Sequence, residues 1–128
     1  MNFKFLAILC VVALLGACRT APTIYQVQNA AVSTNVPNAT KDDVRKAIVR
    51  AGGGLGWQIR DNGADALIGT LILRTHTAIV DIPYSAKQYS ITYKDSTNLN
   101  YDGASIHSNY NGWVQNLHKA INTQLNTI

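Results

Sequence analysis

The chain has 128 residues, 47% of them apolar and 14% charged, with two cysteines and a formal net charge of +4. That length suits one small domain. The eleven Lys and Arg are scattered rather than striped and all seven acids are Asp, so no basic face points to nucleic acid and the supply of general acids is thin.

In chain order, Lys4 precedes an uninterrupted apolar run from Phe5 to Leu15. As a helix those eleven residues rise about 16 Å against roughly 30 Å of hydrocarbon, too short to span it. A positive residue before a short apolar run is the pattern of a secretory signal. The run ends at Leu15-Gly16-Ala17-Cys18, which resembles the lipobox of bacterial lipoproteins. The resemblance implies removal of residues 1–17, acylation of Cys18 and attachment to a Gram-negative envelope. More than one acyl chain makes a firm anchor. Asp after the lipidated cysteine favours inner-membrane retention in enteric bacteria; here Arg19 follows, so the expected location is the periplasmic face of the outer membrane. Cys10 lies in the signal, so the mature chain would hold no free thiol, disulfide or cysteine-based metal site.

Residues 18–39 are expected to be the lipidated cysteine and a flexible tether spanning about 25 Å, with docking of Tyr25, Val27 and Val32 as an edge strand as the alternative. The domain is expected over 40–128. Thr40 followed by Lys41, Asp42 and Asp43 offers an N-cap hydroxyl with two carboxylates in the positive first turn. Val44, Ala47, Ile48 and Ala51 continue at helical spacing and Gly52-Gly53-Gly54 ends the helix. These glycines lack the Gly-Lys-Ser/Thr ending of a phosphate loop and read instead as a C-cap and mobile connector after the helix.

Four strands are predicted next. Gly56–Arg60 and Ala64–Leu73 are joined by the turn residues Asp61-Asn62-Gly63. Thr77–Pro83 follows a tight turn at Arg74-Thr75-His76, and Gln88–Lys94 alternates Tyr89, Ile91 and Tyr93 with polar residues. A closing helix carries Ile106, Tyr110, Trp113, Val114, Leu117, Ala120 and Ile121 in one stripe and takes Ser105 or Asp102 as its cap. Gly112 inside it marks a place for close backbone approach. The expected fold is α+β: helix, four-stranded antiparallel meander, helix, in two layers with both helices on one face of the sheet. Ile68 and Ile72 point one way and Leu67, Leu71 and Leu73 the other. Two helices cover one face, so an apolar face is left, either for the tether to lie over or for self-association or a partner, the latter expected on the side of Leu67, Leu71 and Leu73.

From Val44 to Leu125 the chain resembles a family of small proteobacterial lipoproteins of no assigned activity. The likeness rests on Gly56-Trp57-Gln58-Ile59, on Arg74, His76, Val80, Asp81, Ile82 and Tyr84, and on Tyr89-Ser90-Ile91-Thr92-Tyr93 with Asp95-Ser96. It continues through Asn98-Leu99, Tyr101-Asp102-Gly103, Ile106-His107, Tyr110-Asn111, Trp113-Val114 and Asn116-Leu117. It implies an envelope location and a single small domain, and it carries no cofactor or catalytic residue.

The candidate binding residues are Arg74, His76, Ser96, Asn98, Tyr101, His107, Tyr110 and Asn111. Ser96, Asn98, Tyr101 and their neighbours form a strand-to-helix loop dense in hydrogen-bonding groups, a common setting for recognition and equally the chemistry of turns and caps. Arg74 and His76 are expected at an exposed hairpin tip. His107 and His118 stand about 16 Å apart along one helix, so a metal would need His76, His107 and Asp81 together; no metal is predicted. A Ser96, His107, Asp102 triad can be drawn without a nucleophile elbow to support it. Trp57 and the tyrosines could line a groove, and more often such residues are core. The expectation is a non-enzymatic envelope module that binds a protein partner or a second copy. A ligand-binding lipoprotein with a pocket between sheet and helices ranks second and an enzyme third.

Overall fold

The computed structural model describes residues 21–128; the signal, Cys18 and Arg19 lie outside the described residues. Its elements are β1 (Val27–Ala31), α1 (Lys41–Gly54), β2 (Gln58–Asp61), β3 (Ala66–Leu73), β4 (His76–Pro83), β5 (Gln88–Thr97) and α2 (Ser108–Leu125). The fold is α+β, with one antiparallel sheet in the order β1-β5-β4-β3-β2. The sheet has five strands and not four. β2 to β5 form the expected meander, and the segment expected as a tether supplies the fifth strand, β1, on the free edge of β5.

α1 begins as its sequence dictates. The Thr40 hydroxyl accepts from the Asp43 N–H at 3.1 Å and the Asp43 carboxylate accepts from the Thr40 N–H at 2.9 Å, closing a reciprocal capping box. These bonds hold the Asp43 carboxyl below the usual carboxylate range. Val44, Ala47, Ile48 and Ala51 are buried. The three glycines are the last turn of this helix rather than a connector after it. Gly56, in the left-handed region at φ 88°, reverses the chain as only glycine does without cost.

The β3–β4 hairpin closes on a two-residue loop, with Leu73 opposite His76 and Arg74-Thr75 at the tip. β5 runs three residues past the expected Lys94, because a bulge there lets the ladder resume: Ile79 faces Asp95 and Val80 faces Tyr93. The extra residue returns Ser96 to the same side as Tyr93. α2 is capped by His107, whose Nδ1 accepts from the Asn109 N–H at 3.1 Å, and not by Ser105 or Asp102. Those two are engaged in their own loop, where the Asp102 carboxylate accepts from the Ala104 and Ser105 N–H groups. The space beyond Gly112 is open, so no backbone approaches it.

One core joins helices and sheet. Val44, Ile48, Val114, Leu117 and Ile121 from the helices meet Leu67, Leu71, Val80, Ile82 and Ile91 from the strands. Leu67 is fully buried and Leu71 is 7% exposed, so the face expected to receive a partner is instead the one the helices cover. Leu73 alone of that set is exposed, at 47%, because the hairpin tip projects past the helices. The uncovered face carries the alternate residues, paired across strands as Ile68–Asp81, Thr70–Ile79 and Ile72–Thr77.

Candidate functional site

The strand-to-helix connection, 98–107, is built by backbone conformations that small polar residues tolerate. Asn98, Asn100 and Gly103 have φ of 63°, 52° and 101°, and Asn is the commonest non-glycine in that region. The Asp102 carboxyl is held below its usual range by the Ser105 and Ala104 N–H groups it accepts from. His107 donates its backbone N–H to the Leu99 carbonyl at 2.8 Å, closing the loop.

Three groupings collect around this loop. His76 Nδ1 lies 2.8 Å from the Asn98 carbonyl oxygen, its ring 6.3 Å from that of His107 and 6.4 Å from Trp113. The hairpin is thereby fastened to the loop and to the start of α2. A second grouping is aromatic: Tyr101 lies on Tyr93 with ring centroids 3.9 Å apart, and Tyr110 presents an edge to Tyr93 at 5.8 Å. The Tyr93 hydroxyl is 2.8 Å from the Ser96 hydroxyl. The third is a clamp. The Asn111 side-chain carbonyl accepts from the Tyr25 N–H at 2.7 Å and its amide donates to the Thr23 carbonyl at 2.9 Å. The clamped segment also pairs with the loop, through Ile24 N–H to the Ala104 carbonyl and Ile106 N–H to the Pro22 carbonyl.

All eight candidate residues thus lie at one end of the molecule, mostly holding it together. Arg74 sits at the tip, exposed and in the left-handed region at φ 56°. His76 holds the Asn98 backbone carbonyl, the His107 and Asn111 side chains hold backbone N–H groups, and Ser96 is bonded to Tyr93. The triad is not assembled: Asp102 and His107 spend the needed atoms on backbone N–H groups. His76 and His107 meet, but Asp81 points to Lys94, 3.7 Å away on the open face. Among the described residues no cluster of three or more His, Cys, Asp or Glu could hold a metal.

Tyr110 is fully buried and its hydroxyl has no hydrogen-bond partner among the described residues; burial pushes its pKa up. Two features escaped the sequence. Tyr89, on the inner side of β5, reaches His118 Nδ1 at 2.8 Å and Asn122 Oδ1 at 3.1 Å. Every group is satisfied when His118 donates to the tyrosine oxygen and the tyrosine donates to Asn122. The i, i+4 spacing of His118 and Asn122 on one helix face was the available signal. Burial lowers the His118 pKa from its ordinary 6.5. A cavity of about 230 Å³ lined by Asn29, Asp65, Tyr84, Gln88 and Ser90 opens at the far end of the sheet, away from the pocket expected near Ser96–Tyr110.

Among the described residues no helix is long and apolar enough to cross a membrane. No family model, curated protein or solved structure matches the chain.

Proposed function

We propose that this is a lipid-anchored envelope protein, held through Cys18 at the periplasmic face of the outer membrane, that works as a non-enzymatic binding module. The anchoring rests on the apolar run ending in Leu15-Gly16-Ala17-Cys18. The binding role rests on one observation: the helices cover one face of the sheet, and the other presents Ile68, Ile79 and a 63%-exposed Ile72 among threonines. An antiparallel sheet tolerates water on one side when that side is polar. Here isoleucines recur along it, the composition of a surface that gains from being covered.

The test is photo-crosslinking in living cells, with the probe placed at Thr70 or Thr77 on the open face and at Gln115 on the exposed side of α2 as control. A discrete protein adduct from the face positions and none from Gln115 supports a partner, and a self-adduct supports a homo-oligomer. Equal, diffuse labelling at all three positions refutes a binding face.

The ligand-binding reading has one observation in its favour, the unpartnered Tyr110 hydroxyl. A ligand reaching it would raise thermal stability in a concentration-dependent way, and would have to displace the Tyr93 ring that packs against it.

A further inference from the structure

The first described residues fix where a membrane anchor would leave the fold. Pro22 and Thr23 are tied to Ile106 and Ser105, so the chain enters at the end formed by the 98–107 loop and the start of α2. Pro22 is four positions beyond Cys18, a reach of about 14 Å when fully extended. That is shorter than β3 itself, eight residues long and about 23 Å from first to last. An acylated Cys18 would therefore hold this end, and not the opposite one, at the bilayer.

The surface at this end is unlike the rest. Of the five large apolar side chains that are exposed among the described residues, Ile72, Leu73 and Tyr101 are here. Ile72 and Leu73 precede the hairpin tip; Tyr101 belongs to the loop that His76 and Asn98 join to the hairpin. Arg74 follows Leu73 at the tip in a left-handed conformation that glycine or asparagine would hold with less strain. Two aliphatic side chains, a tyrosine and a long cation are the set that settles at a bilayer interface, the aliphatics in the acyl boundary, the ring at headgroup level and the guanidinium reaching phosphate. Asp102 lies in the same loop, its carboxylate engaged with two backbone N–H groups.

We infer that the Ile72-Leu73-Arg74 hairpin tip and Tyr101 are a membrane-docking surface that rests on the lipid bilayer carrying the Cys18 anchor. This rests on the lipoprotein reading above. With the tip and Ile72 down, the strands stand away from the bilayer and the rest of the open sheet face, around Ile68, Thr70 and Ile79, remains accessible to a partner.

The experiment uses the full chain, expressed with its signal, purified and reconstituted in vesicles of phosphatidylethanolamine and phosphatidylglycerol. A bimane probe is placed through Thr75→Cys at the tip or Asn62→Cys in the β2–β3 turn at the other end, and read by quenching with doxyl-labelled lipid. Mass spectrometry of the N-terminal peptide reports acylation of Cys18 independently. The expected result is an acylated Cys18, quenching at Thr75 at least twofold greater than at Asn62, and loss of the difference in an Ile72→Ser, Leu73→Ser background that keeps its melting temperature. Acylated protein with equal quenching at both positions overturns the docking surface and leaves the anchor standing. A tip shielded from aqueous iodide yet unquenched by the labelled lipid also overturns it, assigning the tip to a second copy. An unacylated Cys18 overturns the anchor reading and the inference with it.

Discussion

Asn111 offers the sharpest test of how the N-terminal segment is held, because one side chain makes both clamping bonds, to the Tyr25 N–H at 2.7 Å and the Thr23 carbonyl at 2.9 Å. A hydrogen bond of this kind contributes about 0.5–1.5 kcal/mol net, so Asn111→Ala removes about 1–3 kcal/mol if the segment stays in place. The segment can instead lift off and return Tyr25 to water, which limits the loss to about 1–2 kcal/mol. In a domain of this size that lowers Tm by roughly 4–8 °C per kcal/mol. The more specific readout is amide exchange: Tyr25 and Ile24 should lose about tenfold protection per 1.4 kcal/mol, while Ile91 and Leu117 in the core keep theirs relative to global stability. Asn111→Asp should not rescue, since it sets a carboxylate against the Thr23 carbonyl. If the Tyr25 amide is as protected in Asn111→Ala as in the parent, the clamp is not what holds the segment. The consequence reaches the membrane. Releasing the chain back to Val27 lengthens the span from Cys18 from four residues to nine, or from about 14 to about 32 Å, enough to lift the hairpin tip off the bilayer.

Three further outcomes are expected. At Gly52 an added Cβ would lie 2.5 Å from Ile59 Cγ1, whereas Gly53 and Gly54 face open space; Gly53→Ala should therefore gain up to about 1 kcal/mol of helix propensity and Gly52→Ala should lose about 1–2 kcal/mol to overpacking, with equal melting curves counting against this packing. His118 has a folded pKa below its ordinary 6.5 because burial disfavours the charged ring. The unfolded chain thus binds the extra proton first, so stability is complete above that value and falls as pH drops through it toward the folded pKa; His118→Gln should flatten this slope in melts between pH 8 and 5. Tyr110→Phe removes a buried hydroxyl without a partner and should raise stability by about 1 kcal/mol, while a loss of similar size would indicate a bound group in contact with that oxygen.

How much of this fold could be read in advance depends on whether the determining chemistry is local. The α1 start was legible because Thr40 and Asp43 satisfy each other within four residues. The β3–β4 turn was legible because two equal apolar runs leave Arg74-Thr75-His76 between them; pairing of His76 with Leu73 draws that histidine into β4 and shortens the loop by one residue. β1 was legible only as an alternative: its sequence, VQNAA, sends one residue, Val27, into the core. It exists because β5 has a free edge, and it reaches that edge through an irregular register with Asn29 in the left-handed region. Nothing local announces a strand of that kind. The density of polar side chains between Asp95 and Asn111 had the opposite effect. It resembled a recognition loop, yet the side chains of Asp102, His107 and Asn111 satisfy backbone groups of the loop itself, of the start of α2 and of the segment clamped to it, and Asn98 serves the turn through its left-handed backbone. A connection that leaves a sheet edge and starts a helix must find partners for its own N–H and C=O groups, and the residues that do so are those that also bind ligands.

The choice of open face was decided by a residue whose meaning lay in its neighbours. Alternation in β3 separates Leu67 and Leu71 from Ile68 and Ile72 but does not say which pair the helices cover. Gly69 does: it shares the face of Leu67 and Leu71, and a Cβ there would lie 3.1 Å from Val80, 3.2 Å from Ile59 and 3.3 Å from Trp57. A glycine between two leucines on a strand marks close approach from above, here by Trp57 and Ile59 of the adjoining β2 segment, which pack against Gly52 in the last turn of α1. The crowded side of β3 is therefore the core, and the side of Ile68, Thr70 and Ile72 is the one left open. Any partner of the sheet must be sought there, and Gly69→Ala should disturb the core by forcing Trp57 and Ile59 outward while leaving the spacing of the open-face isoleucines to their own strand register.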